Sequence, residues 1–192
     1  RIITAEVNTE QIAKQVVEAQ LAELAGEIDQ VEGYTSPHAA FLAGMAGVLG
    51  EYFGLRDSDL SSLKQAAFAH DLGERIMKRE YFARRGELTW DERFDLWRHP
   101  ILGEQAAAQR ELSRQAQLLI RWHHEWWNGQ GYPLRLSGKR ISLPSRMVAL
   151  ADVFDALTHG RPYAEPWSVE RAVQEIQSQA GAQFDPELTD VF

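Results

Sequence analysis

The chain has 192 residues, enough for one good-sized domain with a continuous core. Its 44% hydrophobic and 25% charged fractions are those of an ordinary soluble globular protein, and the net charge of −8 argues against extended nucleic-acid binding, which needs a basic surface. With no cysteine, disulfides, thiolate metal sites and a cysteine nucleophile are excluded, which fits a reducing cytoplasm. The longest apolar stretch, around residues 41–49, is too short and too glycine-rich to span a bilayer, and no signal-peptide pattern opens the chain. A start at Arg1 rather than Met is expected of a segment excised from a longer protein.

Nearly every segment reads as helix. Residues 9–31 run without proline, and Val17, Leu21, Leu24, Ile28 and Val31 alternate in spacings of four and three, the pattern of a heptad seam. Two readings stay open for this helix: docking on the chain's own core, or a dimerising and signal-transmitting role. Ser36-Pro37 caps a second helix that stops near Gly54 and carries His38 in its first turn. A third, from about Ser58, ends near His70 and Gly73. Thr89 to Glu92 is a capping box, His99-Pro100 marks a break and restart, and a helix from about Ser113 delivers His123 and His124. Residues 126–138 form the one long irregular stretch, with Asn128-Gly129, Gly131 and Pro133. Ser142-Leu143-Pro144 opens the helix with Asp152 and Asp155, Ser168 caps another through Ile176, and Asp185-Pro186 starts a last turn. Without period-2 alternation or hairpin signals, the expected fold is all-α.

The histidines carry the chemistry. His38, His70 followed by Asp71, His99, the doublet His123-His124 and then Asp152 are seven ligand-grade groups, too many for one four-coordinate zinc site. They suit two metals held close together and bridged by a carboxylate, an arrangement that stabilises both attacking and leaving oxygens of a phosphate ester. Each motif alone is weak: a lone helical histidine is most often a satisfied core residue, and neighbours on a helix diverge by about 100°. In order, each at a helix terminus, they are far stronger.

At these residues the chain resembles the HD-GYP domain phosphodiesterases, a branch of the HD superfamily. The resemblance runs through His70-Asp71-Leu72-Gly73, Gly86-Glu87-Leu88-Thr89 with Glu92, His99-Pro100 with Gly103, and His123-His124-Glu125. It continues in residues 128–133 (Asn-Gly-Gln-Gly-Tyr-Pro), residues 151–158, Arg161-Pro162-Tyr163 and Phe184-Asp185-Pro186. It implies an HD-superfamily helical bundle over residues 34–192, preceded by a helix within residues 1–33. It also implies hydrolysis of cyclic di-GMP to pGpG, in some members onward to GMP, with some relatives acting on cyclic GMP-AMP. The implied cofactors are two divalent metals, iron or manganese. His38, His70, Asp71 and Asp152 would hold one, and Asp71 would bridge to a second held by His99, His123 and His124. A hydroxide bridging the metals would attack phosphorus, with His70 and Asp71 at the centre of the catalysis.

By the same resemblance Arg161 would contact a phosphate, and Tyr132, Gly131 and their loop would shape the guanine side of the pocket, with Glu74 at the substrate edge. Asp155 is expected to hydrogen-bond a ligand histidine, and Glu125 to support a ligand or a helix end. Trp97 and Trp122 are expected in the core, and His159 at the surface. The expected partners are a cyclic dinucleotide, a second copy through the N-terminal helix, and an upstream sensor or receiver domain, all in the cytoplasm.

Some positions depart from the family pattern. Members with three metals carry a glutamate four residues before the first histidine; here that residue is Tyr34, so two metals are expected. Glu74 stands where the family has a phosphate-facing lysine, Phe41 where it has arginine, Asn128 where it mostly has aspartate, and Ala164 and Glu165 where a basic residue often follows. A carboxylate in place of that lysine disfavours a dianionic ligand by about 1–4 kcal/mol at 4 Å, unless Glu74 bends toward the metals or pairs with Arg75 or Arg161. Two alternatives therefore remain: a regulatory domain that binds a cyclic dinucleotide or a protein partner with little turnover, and a phosphohydrolase of another small phosphate ester.

Overall fold

The computed structural model describes residues 12, 15–17, 19–23, 25, 26, 29, 38–77, 81, 87–159 and 165–192. Described helical residues between 12 and 29 form α1; then follow α2 (His38–Tyr52), α3 (Asp57–Ala69), α4 (Trp90–Leu96), α5 (His99–Gln109), α6 (Arg114–Trp122), α7 (Leu143–Thr158), α8 (Val169–Ser178) and α9 (Pro186–Thr189). Among the described residues there is no strand, only one isolated bridge between Ala180 and Phe184. The fold is all-α.

Local sequence accounts for the helix ends. Thr89 accepts from the Glu92 amide while the Glu92 carboxylate accepts from the Thr89 amide, closing a capping box ahead of α4. Ser113, Ser142 and Ser168 cap α6, α7 and α8 in the same way with single bonds. Pro100 and Pro144 sit in the first turns of α5 and α7, where a missing amide proton does no harm. After α2 the chain turns at Gly54, whose φ of +69° suits glycine.

α2 packs on α3 and α7, with Leu42, Ala46, Leu63, Ala66, Met147 and Leu150 in one core. Small residues bring the backbones close. A Cβ on Gly50 would meet Leu60 at 2.6 Å, and one on Gly103 would meet Ile120 at 2.8 Å. The tightest crossing is at Gly73, where an added Cβ would lie 1.9 Å from the His99 carbonyl oxygen. The first turn of α5 therefore rests directly on the turn that follows His70-Asp71, which brings His99 to the same place. Glu104 of α5 pairs with Arg114 at 2.7 Å and with Arg121, tying α5 to α6. Arg146 pairs with Asp185, the cap of α9, tying α7 to the C-terminal turn.

For α1 the structure favours docking. Leu21 is 4% exposed and belongs to the core, whereas Val17 is 39% exposed. Leu24, Ile28 and Val31 of the expected seam lie outside the described residues. Among the described residues of α1 the buried ones are Leu21, Ala25 and Asp29, spaced by fours. No helix among the described residues is long and apolar enough to cross a membrane.

Candidate metal centre

Three histidines are anchored alike. Nδ1 of His70 donates to the Ala67 carbonyl at 2.9 Å, Nδ1 of His99 to Leu96 at 2.8 Å, and Nδ1 of His123 to Ile120 at 2.6 Å. Each carbonyl is three residues back, at the end of the preceding helical turn. Carbonyls only accept, so each Nδ1 carries a proton and each ring points its Nε2 inward, as a lone pair whenever the ring is neutral. His38 follows the same logic with a carboxylate: its Nδ1 faces Asp155 Oδ2 at 3.0 Å.

The Nε2 atoms converge on Asp71, which is buried in the turn after α3. One of its oxygens lies 3.0 Å from His70 Nε2; the other lies 3.3 Å from His99 Nε2 and 3.7 Å from His123 Nε2. Asp152, from α7, approaches His70 Nε2 at 3.7 Å. Ligand atoms of Asp71, His99, His123 and His124 all lie within 4.8 Å of one another, a group able to hold a metal ion.

The donor set fits a cation. His99 and His123 bring their Nε2 atoms to 3.2 Å, two lone pairs face to face in a buried place. His70 Nε2 is buried without a hydrogen bond. Two ligands bonded to one cation at about 2.1 Å lie about 3.0–3.4 Å apart, so the observed separations suit shared coordination and suit no pair of acceptors.

Protonation points the same way. Burial, reinforced by His99, lowers His123 to about 4, and burial with its histidine neighbours holds His124 well below the usual range. Both are neutral at pH 7, as ligands must be. Burial works against the charged form of His70 as well, but Asp71 overcomes it and raises His70 well above its ordinary value. Burial likewise opposes ionised Asp71, yet His70, then His99 and His123, hold it well below the carboxylate range.

Around this centre, Asp155 bonds His38 with one oxygen and faces His159 Nδ1 at 2.9 Å with the other. His159 is thus partly exposed, as expected, yet linked to the centre. Glu125 turns to the loop, accepting from the amides of Leu134 at 2.6 Å and Leu136 at 2.8 Å. Tyr132 stacks on His124 with ring centres 4.8 Å apart, and Trp97 stacks on Tyr132 at 5.5 Å. Trp97 and Trp122 are half-buried rather than enclosed. Gly131 is buried, and a Cβ there would fall 2.3 Å from the Trp126 amide, so the loop's path under His124 requires glycine. Glu74 is buried in the short turn Glu74–Ile76 beside Asp71. Phe41 is 41% exposed and edges onto His159. Arg161 and Tyr34 lie outside the described residues.

Sequence reasoning missed Asp29. Its carboxylate is 5% exposed, with Oδ1 3.2 Å from His38 Nε2. The available signal was an acid on the Leu21–Ala25 row, where an apolar residue would be the rule.

An all-helical bundle with a buried histidine–aspartate centre defines a metal-binding helical domain. The chain belongs to the HD domain family, whose model matches residues 15–188. It is 36% identical over 172 residues to the cyclic di-GMP phosphodiesterase response regulator RpfG of Xanthomonas campestris, covering 88% of this chain and 46% of that one. It is 32% identical over 170 residues to the 3'3'-cGAMP-specific phosphodiesterase 2 of Vibrio cholerae, covering 88% of this chain and 33% of that one. The crystal structure of a cyclic GMP-AMP specific phosphodiesterase of V. cholerae, V-cGAP3, superimposes with a TM-score of 0.74 at 25% identity, over 91% of this chain and 47% of that chain. The chain thus spans less than half the length of each of these three relatives.

Proposed function

We propose that this domain is a metal-dependent phosphodiesterase that hydrolyses cyclic di-GMP to linear pGpG. The observation that carries the reading is Asp71, whose two oxygens face His70 on one side and His99 with His123 on the other. Such a carboxylate can bridge two cations. His38, His70, Asp71 and Asp152 would hold one, and Asp71, His99, His123 and His124 the second. When bound, two divalent cations, iron or manganese, supply Lewis acidity that activates water and balances charge on the phosphoryl oxygens.

The protein's own groups do the rest. The three carbonyl anchors and Asp155 hold the rings against rotation, so little reorganisation accompanies binding. The Trp97–Tyr132 stack beside His124 offers a flat apolar face at the scale of a purine, and Arg161 would contact a phosphate. The names of relatives support this substrate class. Those acting on 3'3'-cGAMP favour that dinucleotide as a second substrate.

The test is turnover of cyclic di-GMP and 3'3'-cGAMP by protein reconstituted anaerobically with ferrous iron or manganese, with metal counted on the same sample. Linear product from wild type, lost with the metal in Asp71→Ala, is expected. Metal without turnover of either dinucleotide would leave a silent receptor or another phosphate ester, with Glu74→Lys as the next variant.

A further inference from the structure

The N-terminal helix α1 lays Leu21, Ala25 and Asp29 along one buried row, exposed by 4%, 3% and 5%. The first two close the core. The third inserts a carboxylate where a buried charge must be paired or bound to a metal. Asp29 Oδ1 makes no hydrogen bond, and His38 Nε2 faces it at 3.2 Å. His38 Nδ1 is committed to Asp155 at 3.0 Å, so it is Nε2 that faces Asp29, a lone pair in the neutral form that metal binding requires. In that form two acceptor atoms meet in a buried place, at the same 3.2 Å that separates Nε2 of His99 from Nε2 of His123. That is the spacing of neighbouring donors on one cation, about 3.0–3.4 Å. His70 lies on the same side, its ring edge-on to His38 with centres 5.5 Å apart.

We propose that Asp29 is a metal ligand, joining His38 on the side of the centre next to His70. The assignment rests on the metal-dependent reading of the site and adds a donor from outside the motif-bearing helices. It makes the centre depend on how α1 is seated, since one donor reaches the metal only while Leu21 and Ala25 hold that helix against the core.

The chain has no cysteine, so a thiol introduced at position 29 is a unique probe. Cobalt(II) added to metal-free Asp29→Cys should produce an intense near-ultraviolet thiolate-to-cobalt band that chelation removes; wild type should show none. In Asp29→Asn, manganese affinity by calorimetry should fall at least tenfold. The melting temperature of the metal-free variant should stay the same or rise, because a buried carboxylate that has been desolvated to wait for a cation has gone. Asp71→Ala serves as the reference for loss of the centre. Wild-type manganese affinity in Asp29→Asn, or cobalt bound by Asp29→Cys without the band, overturns the assignment while leaving the metal centre standing. A lower metal-free melting temperature in Asp29→Asn with unchanged affinity also overturns it, making Asp29 only an ion-pair partner of His38. A wild-type protein that takes up no metal, like Asp71→Ala, overturns both this assignment and the reading beneath it.

Discussion

Substituting Gly73 by alanine adds one methyl group at the crossing that sets the centre. The new Cβ would lie 1.9 Å from the His99 carbonyl oxygen and 2.6 Å from the Gly103 amide nitrogen. Ordinary contact begins near 3.4 Å, so the α5 backbone must retreat by about 1.5 Å, the difference 3.4 − 1.9. Both obstructing atoms are backbone, so no side-chain rotation relieves the overlap. Overpacking of this kind typically costs 1–3 kcal/mol, and a rigid obstacle places it at about 3 kcal/mol. The retreat also carries His99 away from Asp71, from which it is now separated by 3.3 Å. The expected result is a lower urea midpoint with unchanged m-value, together with weaker manganese binding. Gly44→Ala is the matched comparison: it lies in α2 with nothing within 4 Å of the new Cβ, and should stabilise the helix by about 0.5–1 kcal/mol. If Gly73→Ala unfolds at the wild-type midpoint and binds manganese normally, the close approach of α5 to the Asp71 turn is refuted.

Three further outcomes follow from the centre. Asp71→Asn keeps the shape but removes the charge shared by both sides, and metal counted after desalting should fall to background; retention of two metals per chain would rule out bridging. Asp155→Asn weakens the hold on His38 Nδ1 and should lower metal affinity about 10–100-fold with the fold intact by circular dichroism; an unaffected affinity would leave Asp155 a packing residue. Metal binding should release protons. His70 is held well above its ordinary value by Asp71, against its burial, and His38 is raised by Asp155, again against its burial. Both shifts favour the protonated ring, and a ring must be neutral at the coordinating nitrogen to bind a cation, so metal binding works against them, whereas His123 at about 4 is already neutral. Affinity should therefore rise with pH until it passes the folded values of His70 and His38, then level off, with a net release of protons on binding. Calorimetry in buffers of different ionisation enthalpy reads this directly; no release would contradict those protonation states.

The helices and their ends were legible in the residues because capping is local chemistry. Thr89 with Glu92, Ser113, Ser142 and Ser168 each bind an amide within three residues of themselves, so no distant partner is needed to foresee them. The ligand-grade residues were legible too, since so many histidines and acids at helix ends have few other uses. What the residues alone left open is how donors far apart in sequence meet. His99 reaches Asp71 because Gly73 lets the α5 backbone cross at contact distance, and that approach depends on three-dimensional packing. In α1 the heptad spacing includes Leu21 but neither Ala25 nor Asp29, and only packing against the core shows that these two are buried with it. That packing turned an acid with no local role into a buried neighbour of His38. Glu125 and Gly131, by contrast, turned out to hold the 126–138 loop, through bonds to Leu134 and Leu136 and a close pass over His124. Short-range hydrogen bonding made the elements readable in one dimension; the coordination set needed the core, which alone fixes which side chains share a buried space.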